Sequence, residues 1–297
     1  MTVAHALSKA LPASVAEWIH PRFRMYQQIR KLYDTGGSLS RDPEISNWVA
    51  SRPFGPNKAP LHVVMRSYKE LRRFAQFGEQ SDDVVQNWLY NLKDCETYFD
   101  VGSANGLEGL LVYHLHKCKV VFVEPSTFSV ESILKSIHVQ SSRGVTDRSK
   151  FEIVHAGCGD EETYARAYYH EIPKPGATKV SFSDLEGYDR GGRSNLPVFG
   201  TQWIKGVTLD SLVYKYGFPS PTHIKIDIDG FENRALRGAR RLLEERNVVS
   251  WAIEANGEEN ITEVGETMKR AGYIEVAREQ HNPGRTPRTF DFIYDRV

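Results

Sequence analysis

Cysteine is scarce in this chain: only Cys95, Cys118 and Cys158 occur among 297 residues. Their spacing matches no metal-binding pattern, and two of them sit beside apolar strand-like runs, so buried thiols in a reduced, cytoplasmic protein are expected. Charge of one sign is also lacking. Lys and Arg number 38, Asp and Glu number 38, and the formal net charge is zero. A neutral surface argues against attraction to nucleic acid over the whole molecule. Long apolar runs are absent too, and Met1 to Leu11 has no charged head followed by an apolar stretch, so neither a signal peptide nor a transmembrane helix is expected. No repeat or low-complexity tract is present. The ten histidines form no His-x-x-x-His pair, and no metal is called for by the spacing.

What is present suits a globular α/β protein. Apolar residues make up 40% and charged residues 26%, enough for an ordinary core. The length fits one large domain, or a domain with an attached layer. Residues 97–106 organise the rest. Tyr98 to Val101 reads as a short apolar strand, Gly102 and Gly106 as turn glycines, and Leu107 to Leu115 as a helix. A helix N-terminus after a glycine turn offers unpaired N–H groups to a ligand. A second apolar strand, Lys119 to Val123, ends at Glu124, where a carboxylate can accept hydrogen bonds from ribose hydroxyls.

The dinucleotide pattern Gly-x-Gly-x-x-Gly fails here because Ala104 stands at its second glycine. Asp100 closes the first strand and Glu108 follows the turn, and two carboxylates would repel a pyrophosphate. They suit a nucleoside with a positive end and no phosphate, and S-adenosylmethionine (SAM) has that chemistry. A nicotinamide oxidoreductase is disfavoured on the same ground.

A second stretch, residues 223–232, reads His-Ile-Lys-Ile-Asp-Ile-Asp-Gly-Phe-Glu. With Asp100-Val101-Gly102-Ser103-Ala104-Asn105-Gly106 and Glu124-Pro125 it resembles the FkbM-type family of SAM-dependent methyltransferases. The resemblance covers roughly residues 95–295, including Val207 to Leu212 and Leu236 to Ala239. It departs from the family pattern by one extra residue between Gly102 and Asn105, and by Asp229 where Glu is usual. It implies a Rossmann-like class I methyltransferase sheet, mostly parallel with a C-terminal antiparallel hairpin strand, and O-methylation of a hydroxyl on a sugar, glycan or secondary metabolite. Two alternatives stay open: an N-methyltransferase of the same fold, and a non-catalytic SAM-binding or interaction protein.

The expected cofactor-binding residues are Asp100, Gly102, Ser103, Asn105, Gly106, Glu124, Pro125, Ala156, Gly157 and Asp227. Ala156 and Gly157 follow the third strand, where the resemblance places the adenine edge. The expected catalytic carboxylates are Asp227, Asp229 and Glu254. Asp227 is the leading base, because a hydroxyl acceptor is a weak nucleophile until its proton is removed. Lys225 and Asp227 lie two apart on a predicted strand and so share a face.

Two segments lie off this core. Residues 1–92 are expected to form a helical extension ahead of a SAM-binding domain at 93–297. Val15, Trp18, Ile19, Tyr26, Ile29 and Tyr33 make one stripe, broken at Pro21 and stopped at Gly36-Gly37. Leu61, Val64, Tyr68, Leu71 and Phe74 make another, and Ser81 is the expected cap of a third helix carrying Val85, Trp88, Leu89 and Leu92. This extension holds 12 Lys and Arg against 8 Asp and Glu, a small excess read as a solvated face. Residues 170–206 are rich in Gly and Pro and are expected to be a substrate lid or a plain insertion loop. A helical front layer also leaves a homo-oligomer open.

Overall fold

The computed structural model describes residues 13–78, 83–169, 180–182, 198–228, 230–281, 283–284 and 288–297. The chain opens with α1 (Ala13–Asp34), then β1 (Ser38–Asp42), β2 (Asn47–Phe54), β3 (Ala59–Met65), α2 (Tyr68–Gln76) and α3 (Val84–Tyr90). The alternating part follows as β4 (Thr97–Val101), α4 (Leu107–His116), β5 (Lys119–Val123), α5 (Thr127–Ser142) and β6 (Phe151–Val154). Next come β7 (Gly157–Cys158), β8 (Tyr164–Tyr169), β9 (Val180–Phe182) and β10 (Gly200–Val207). The last third is β11 (His223–Ile226), α6 (Glu232–Arg237), α7 (Arg240–Glu245), β12 (Ser250–Asn256), α8 (Glu258–Arg270), β13 (Tyr273–His281) and β14 (Thr289–Arg296).

The central sheet has seven strands in the order β13-β14-β12-β11-β4-β5-β6. Strands β12, β11, β4, β5 and β6 run parallel, and β14 runs antiparallel between β12 and β13. This is the expected mostly parallel sheet with a reversed hairpin strand. Period-two alternation gives each face its own core. Tyr98, Val120 and Phe122 join one buried cluster, while Phe99, Val101, Val121 and Val123 join the other. Burying each such side chain contributes about 1.5–3 kcal/mol, so strands this apolar are held centrally. The sheet direction switches between β4, which feeds α4 and β5, and β11, which feeds α6, α7 and β12. Open α/β sheets bind ligands at such a switch, beyond the carboxyl ends of the strands.

The N-terminal extension contributes helices as expected, but not throughout. Residues 38–65 form a three-stranded antiparallel meander, β1-β2-β3. Leu61 and Val64, read as a helical pair, lie instead on β3. Every residue from Leu61 to Met65 is buried, which marks a strand covered on both faces rather than a helix stripe. Helix α1 runs unbroken through Pro21. Among its described side chains, Met25, Ile29 and Leu32 face inward, while Tyr26 and Tyr33 are exposed. The third helix is capped by Asp83, whose Oδ1 accepts from the Gln86 N–H at 2.9 Å, whereas Ser81 lies outside the described residues. This layer packs on the α4 and α5 side of the sheet. Phe54, Leu61, Leu71, Phe74 and Leu89 share one cluster with Leu110, Leu111 and Phe122.

Much of the expected lid, residues 170–179 and 183–197, lies outside the described residues. At its end lies β10, pairing antiparallel with β8 and parallel with β7, and β9 adds to the far edge of β8. The helix expected over Asn233 to Glu245 is two helices broken at Gly238 and Ala239, and that over Leu209 to Tyr216 is a single wide turn, Ser211–Lys215.

Candidate active site

The chain leaves β4 through Gly102, whose φ is +82°. A Cβ there would sit 1.9 Å from the Asp227 carbonyl oxygen, so glycine is what lets the turn touch the end of β11. The extra residue of this turn is absorbed by Ala104, which adopts φ +50° at a cost of about 1–2 kcal/mol for a non-glycine residue. The strain is offset by a contact: the Ala104 N–H donates to Glu124 Oε2 at 2.8 Å. Glu124 Oε1 accepts from the Ser126 N–H at 2.8 Å. Burial pushes the Glu124 carboxyl up to about 7, against the pull of these two amides. Ser103 is buried and donates through Oγ to the Asp100 carbonyl at 2.6 Å.

Asp100 lies behind the turn, fully buried. Its Oδ2 accepts from the Gly109 N–H at 3.1 Å, and its Oδ1 has no hydrogen-bond partner. Burial, despite Lys225, raises its pKa to about 7. In front of it runs a chain of alternating charges. Arg73 of α2 pairs with Glu108 Oε1 of α4. Lys225 Nζ lies 2.9 Å from Glu108 Oε2 and 3.2 Å from Asp227 Oδ2. Burial opposes the Lys225 charge, but Asp227, Glu108 and Asp100 hold its pKa well above the ordinary lysine value. Glu108 is likewise drawn well down by Arg73 and Lys225, which outweigh its burial. Asp227 ends this chain and keeps about a quarter of its side chain exposed.

Glu232, fully buried, ties the loop after β11 back on itself. Its Oε1 accepts from the Gly230 N–H at 2.9 Å and the Ile228 N–H at 3.2 Å, and its Oε2 accepts from Asn260 at 2.6 Å. Asp229, within this loop, lies outside the described residues.

Two cavities flank the turn. One, of about 110 Å³, is lined largely by apolar groups and glycine, among them Gly102, Val123, Pro125, Gly157, Ile204 and Ile228. The other, of about 430 Å³, is polar and bears Asn105, Glu108, Lys225, Asp227 and Glu254. Gly102 and Ile228 belong to the first, their near neighbours Asn105 and Asp227 to the second. Asn105 is buried, and its Nδ2 has no hydrogen-bond partner. Ala156 is buried in the core cluster beneath, and Gly106 caps α4 at φ +75°.

The polar cavity contains the expected Glu254 together with His281 and Asp291, which sequence reasoning missed. Glu254 of β12 stands directly opposite Asp291 of β14, a like-charge pair that is unfavourable by itself. His281 of β13 relieves it, with Nε2 2.6 Å from Asp291 Oδ2. This bond raises the His281 pKa to about 9, while burial raises that of Asp291. The donor atoms of Glu254, His281 and Asp291 lie within 4.8 Å of one another, a set suited to a divalent ion. Residues 254, 281 and 291 meet only through hairpin register, which no local spacing reveals. Lys69, Arg72 and Arg73 were missed because their helix lies outside the resemblance.

A switch-point sheet with a reversed hairpin strand, a glycine turn and an acid after the second strand define a Rossmann-like fold of the methyltransferase class. The methyltransferase FkbM domain model matches residues 100–275, and the chain belongs to that family. Among solved structures, a methyltransferase FkbM from Methylobacillus flagellatus KT is similar, with 19% identity and a TM-score of 0.46, covering 70% of this chain and 46% of that one. The chain thus spans about half the length of that protein. The TrmK protein of M. capricolum, solved with S-adenosyl-homocysteine, shows 7% identity and a TM-score of 0.44 over 74% of this chain and 70% of its own. A precorrin-6y C5,15-methyltransferase from Geobacter metallireducens shows 9% identity and a TM-score of 0.40, over 72% and 87%. No curated protein matches the chain in sequence. Among the described residues, no helix is long and apolar enough to cross a membrane.

Proposed function

We propose that this protein transfers the methyl group of SAM to a hydroxyl oxygen on a sugar, glycan or secondary metabolite. The observation that carries the reading is the position of Asp227. It is a partly exposed carboxylate at the switch point, against Gly102 on one side and the 430 Å³ polar cavity on the other.

The residues present fit the cofactor. The small apolar cavity between Gly102, Pro125 and Gly157 suits a nucleobase edge, with Ala156 packed below. Glu124 keeps lone pairs for ribose hydroxyls beyond those its two amide bonds use. The buried, unpartnered Nδ2 of Asn105 is free to donate to the methionyl end. Asp100, Ser103 and Gly106 shape the turn from behind. When bound, SAM supplies an electrophilic methyl carbon for in-line displacement from sulfur.

The rest is work for the chain. Asp227 accepts the hydroxyl proton of the acceptor as its oxygen attacks, a role worth about 10²–10⁴ in rate. Lys225 fixes the direction of that carboxylate. Glu254 supplies a further acceptor for the acceptor's neighbouring hydroxyls, and closing donor and acceptor together contributes the remaining acceleration. The three cysteines are free thiols, in keeping with a reducing, cytoplasmic setting.

Calorimetric titration with S-adenosylhomocysteine (SAH), with NAD in parallel, tests the cofactor. The expected result is micromolar binding of SAH alone, and binding of NAD alone overturns the reading. Radiolabelled methyl transfer to hydroxylated metabolites and glycans tests the reaction, and unchanged transfer by Asp227→Asn would remove the assigned base.

A further inference from the structure

One wall of the polar cavity has no part in the chemistry above. Lys69, Arg72, Arg73 and Gln76 of α2 recur at i, i+3, i+4 and i+7, so they form one helix face, and all four line the cavity and are exposed. Arg73 is engaged by Glu108. Lys69 and Arg72 make no ion pair or hydrogen bond with any described residue.

Stability does not explain these two cations. Lys69 lies in the first turn of α2, at the end of the helix dipole that disfavours positive charge. An exposed, unpaired Arg72 adds little to folding. The carboxylates lining the cavity are each engaged by another group, Glu254 by the Asn256 amide at 2.9 Å. Glu108 and Asp227 answer Arg73 and Lys225, and Asp291 answers His281. Asp83 is held by the Gln86 amides, and Glu70 accepts from the Arg66 N–H at 2.7 Å. Lys69 and Arg72 therefore face the cavity as two cations with no carboxylate bound to them, above an acidic floor.

We propose that Lys69 and Arg72 select an acceptor that carries an anionic group, a phosphate or a carboxylate, on the same molecule as the hydroxyl to be methylated. The proposal rests on the methyltransferase reading. The floor of Asp227, Glu254 and Asp291 suits hydroxyl groups, which donate to carboxylates, and by itself repels an anion. The helix above supplies what the floor cannot, so a charged substituent is held away from Asp227 while the hydroxyl points toward it. A neutral acceptor has no use for this wall. A cavity of about 430 Å³ lies within the range of pockets that enclose small ligands.

Carboxylate chemistry has a second source, the methionyl end of the cofactor, and the test separates the two. Protein saturated with SAH is titrated calorimetrically with glucose 6-phosphate, glucuronate and inorganic phosphate, and with glucose as the neutral control. The expected result is that the anions bind and glucose binds at least tenfold more weakly. The double variant Lys69→Gln/Arg72→Gln is expected to lose that preference, with its melting temperature and SAH affinity unchanged. Weakened SAH binding in the double variant would assign both cations to the cofactor and overturn the proposal. So would glucose binding as well as the anions, a preference that survives in the double variant, or absence of anion binding at millimolar concentration. Absence of SAH binding by the unaltered protein is a separate result, and it strikes at the methyltransferase reading instead.

Discussion

The two cavities beside Gly102 differ in how the chain builds them. The small one is assembled mostly from segments that directly follow β5, β6 and β11, with β8 and β10 closing it, and it is lined largely by glycine and apolar groups. The large one draws on α2, α4, β11, β12 and the β13–β14 hairpin, so Lys69 and Asp291 meet across it from opposite ends of the sequence. One holds shape and the other holds charge. Strand-end loops are enough to recognise a nucleoside, because backbone amides and small side chains do that work locally. On the proposed reading, the acceptor site needs side chains from several distant elements. Cofactor binding and turnover should therefore respond to different substitutions.

The largest expected effect breaks the charged side alone. Asp227→Asn is expected to lower methyl transfer by about 10²–10⁴-fold, with SAH affinity within threefold of the unaltered protein. Steady-state rates beside calorimetry check this. A parallel fall in SAH affinity would mean that Asp227 belongs to cofactor binding and that the two cavities are not separable.

Lys225→Met comes next. It leaves Glu108 and Asp227 without the buried ammonium that each now contacts. Removing one partner of a buried pair costs about 3–5 kcal/mol, to be read by chemical denaturation. Lys225→Met with Glu108→Gln should recover part of the loss, because one orphaned charge is removed along with its partner. No recovery would show that Glu108 and Lys225 are not energetically coupled.

The apolar side is probed by Gly157→Ala. The added Cβ would meet only Ile204 Cγ2, at an ordinary 3.6 Å, so the fold should keep its stability within about 0.5 kcal/mol. The same methyl enters the 110 Å³ cavity, and SAH affinity is expected to fall about tenfold, or 1.4 kcal/mol. Unchanged affinity would move the nucleobase elsewhere.

This contrast also explains what the sequence made legible. The strands flanking the glycine turn are short apolar runs that end in a turn glycine or an acid, and β5 matches its expected bounds residue for residue. Glu124 and Gly102 stood out because their chemistry is local. The three-stranded meander did not, because Leu61, Val64 and Tyr68 mimic a helical stripe where β3 runs on into α2. Trp203 and Tyr164 gave no usable period, since β8 and β10 belong to a small sheet with an exposed face. The Glu254, His281 and Asp291 cluster depends on strand register over tens of residues, a property of the folded hairpin rather than of any window.

The smallest effect sharpens the charged side by its pH dependence. His281 has a folded-state pKa of about 9, raised from 6.5 by its bond to Asp291. A cationic group raised in this way stabilises the fold fully below pH 6.5, and the contribution fades as pH rises through 9. The imidazole is about a third exposed, so solvent screening keeps the gain small, below about 1 kcal/mol. His281→Gln is therefore expected to melt slightly below the unaltered protein at pH 6, with the two curves converging by pH 10. A gap that stays constant across this range would mean that packing, not charge, is what His281 contributes. The like-charge pair of Glu254 and Asp291 would then be tolerated without an imidazolium between them, and a divalent ion at those two carboxylates would become the next species to titrate.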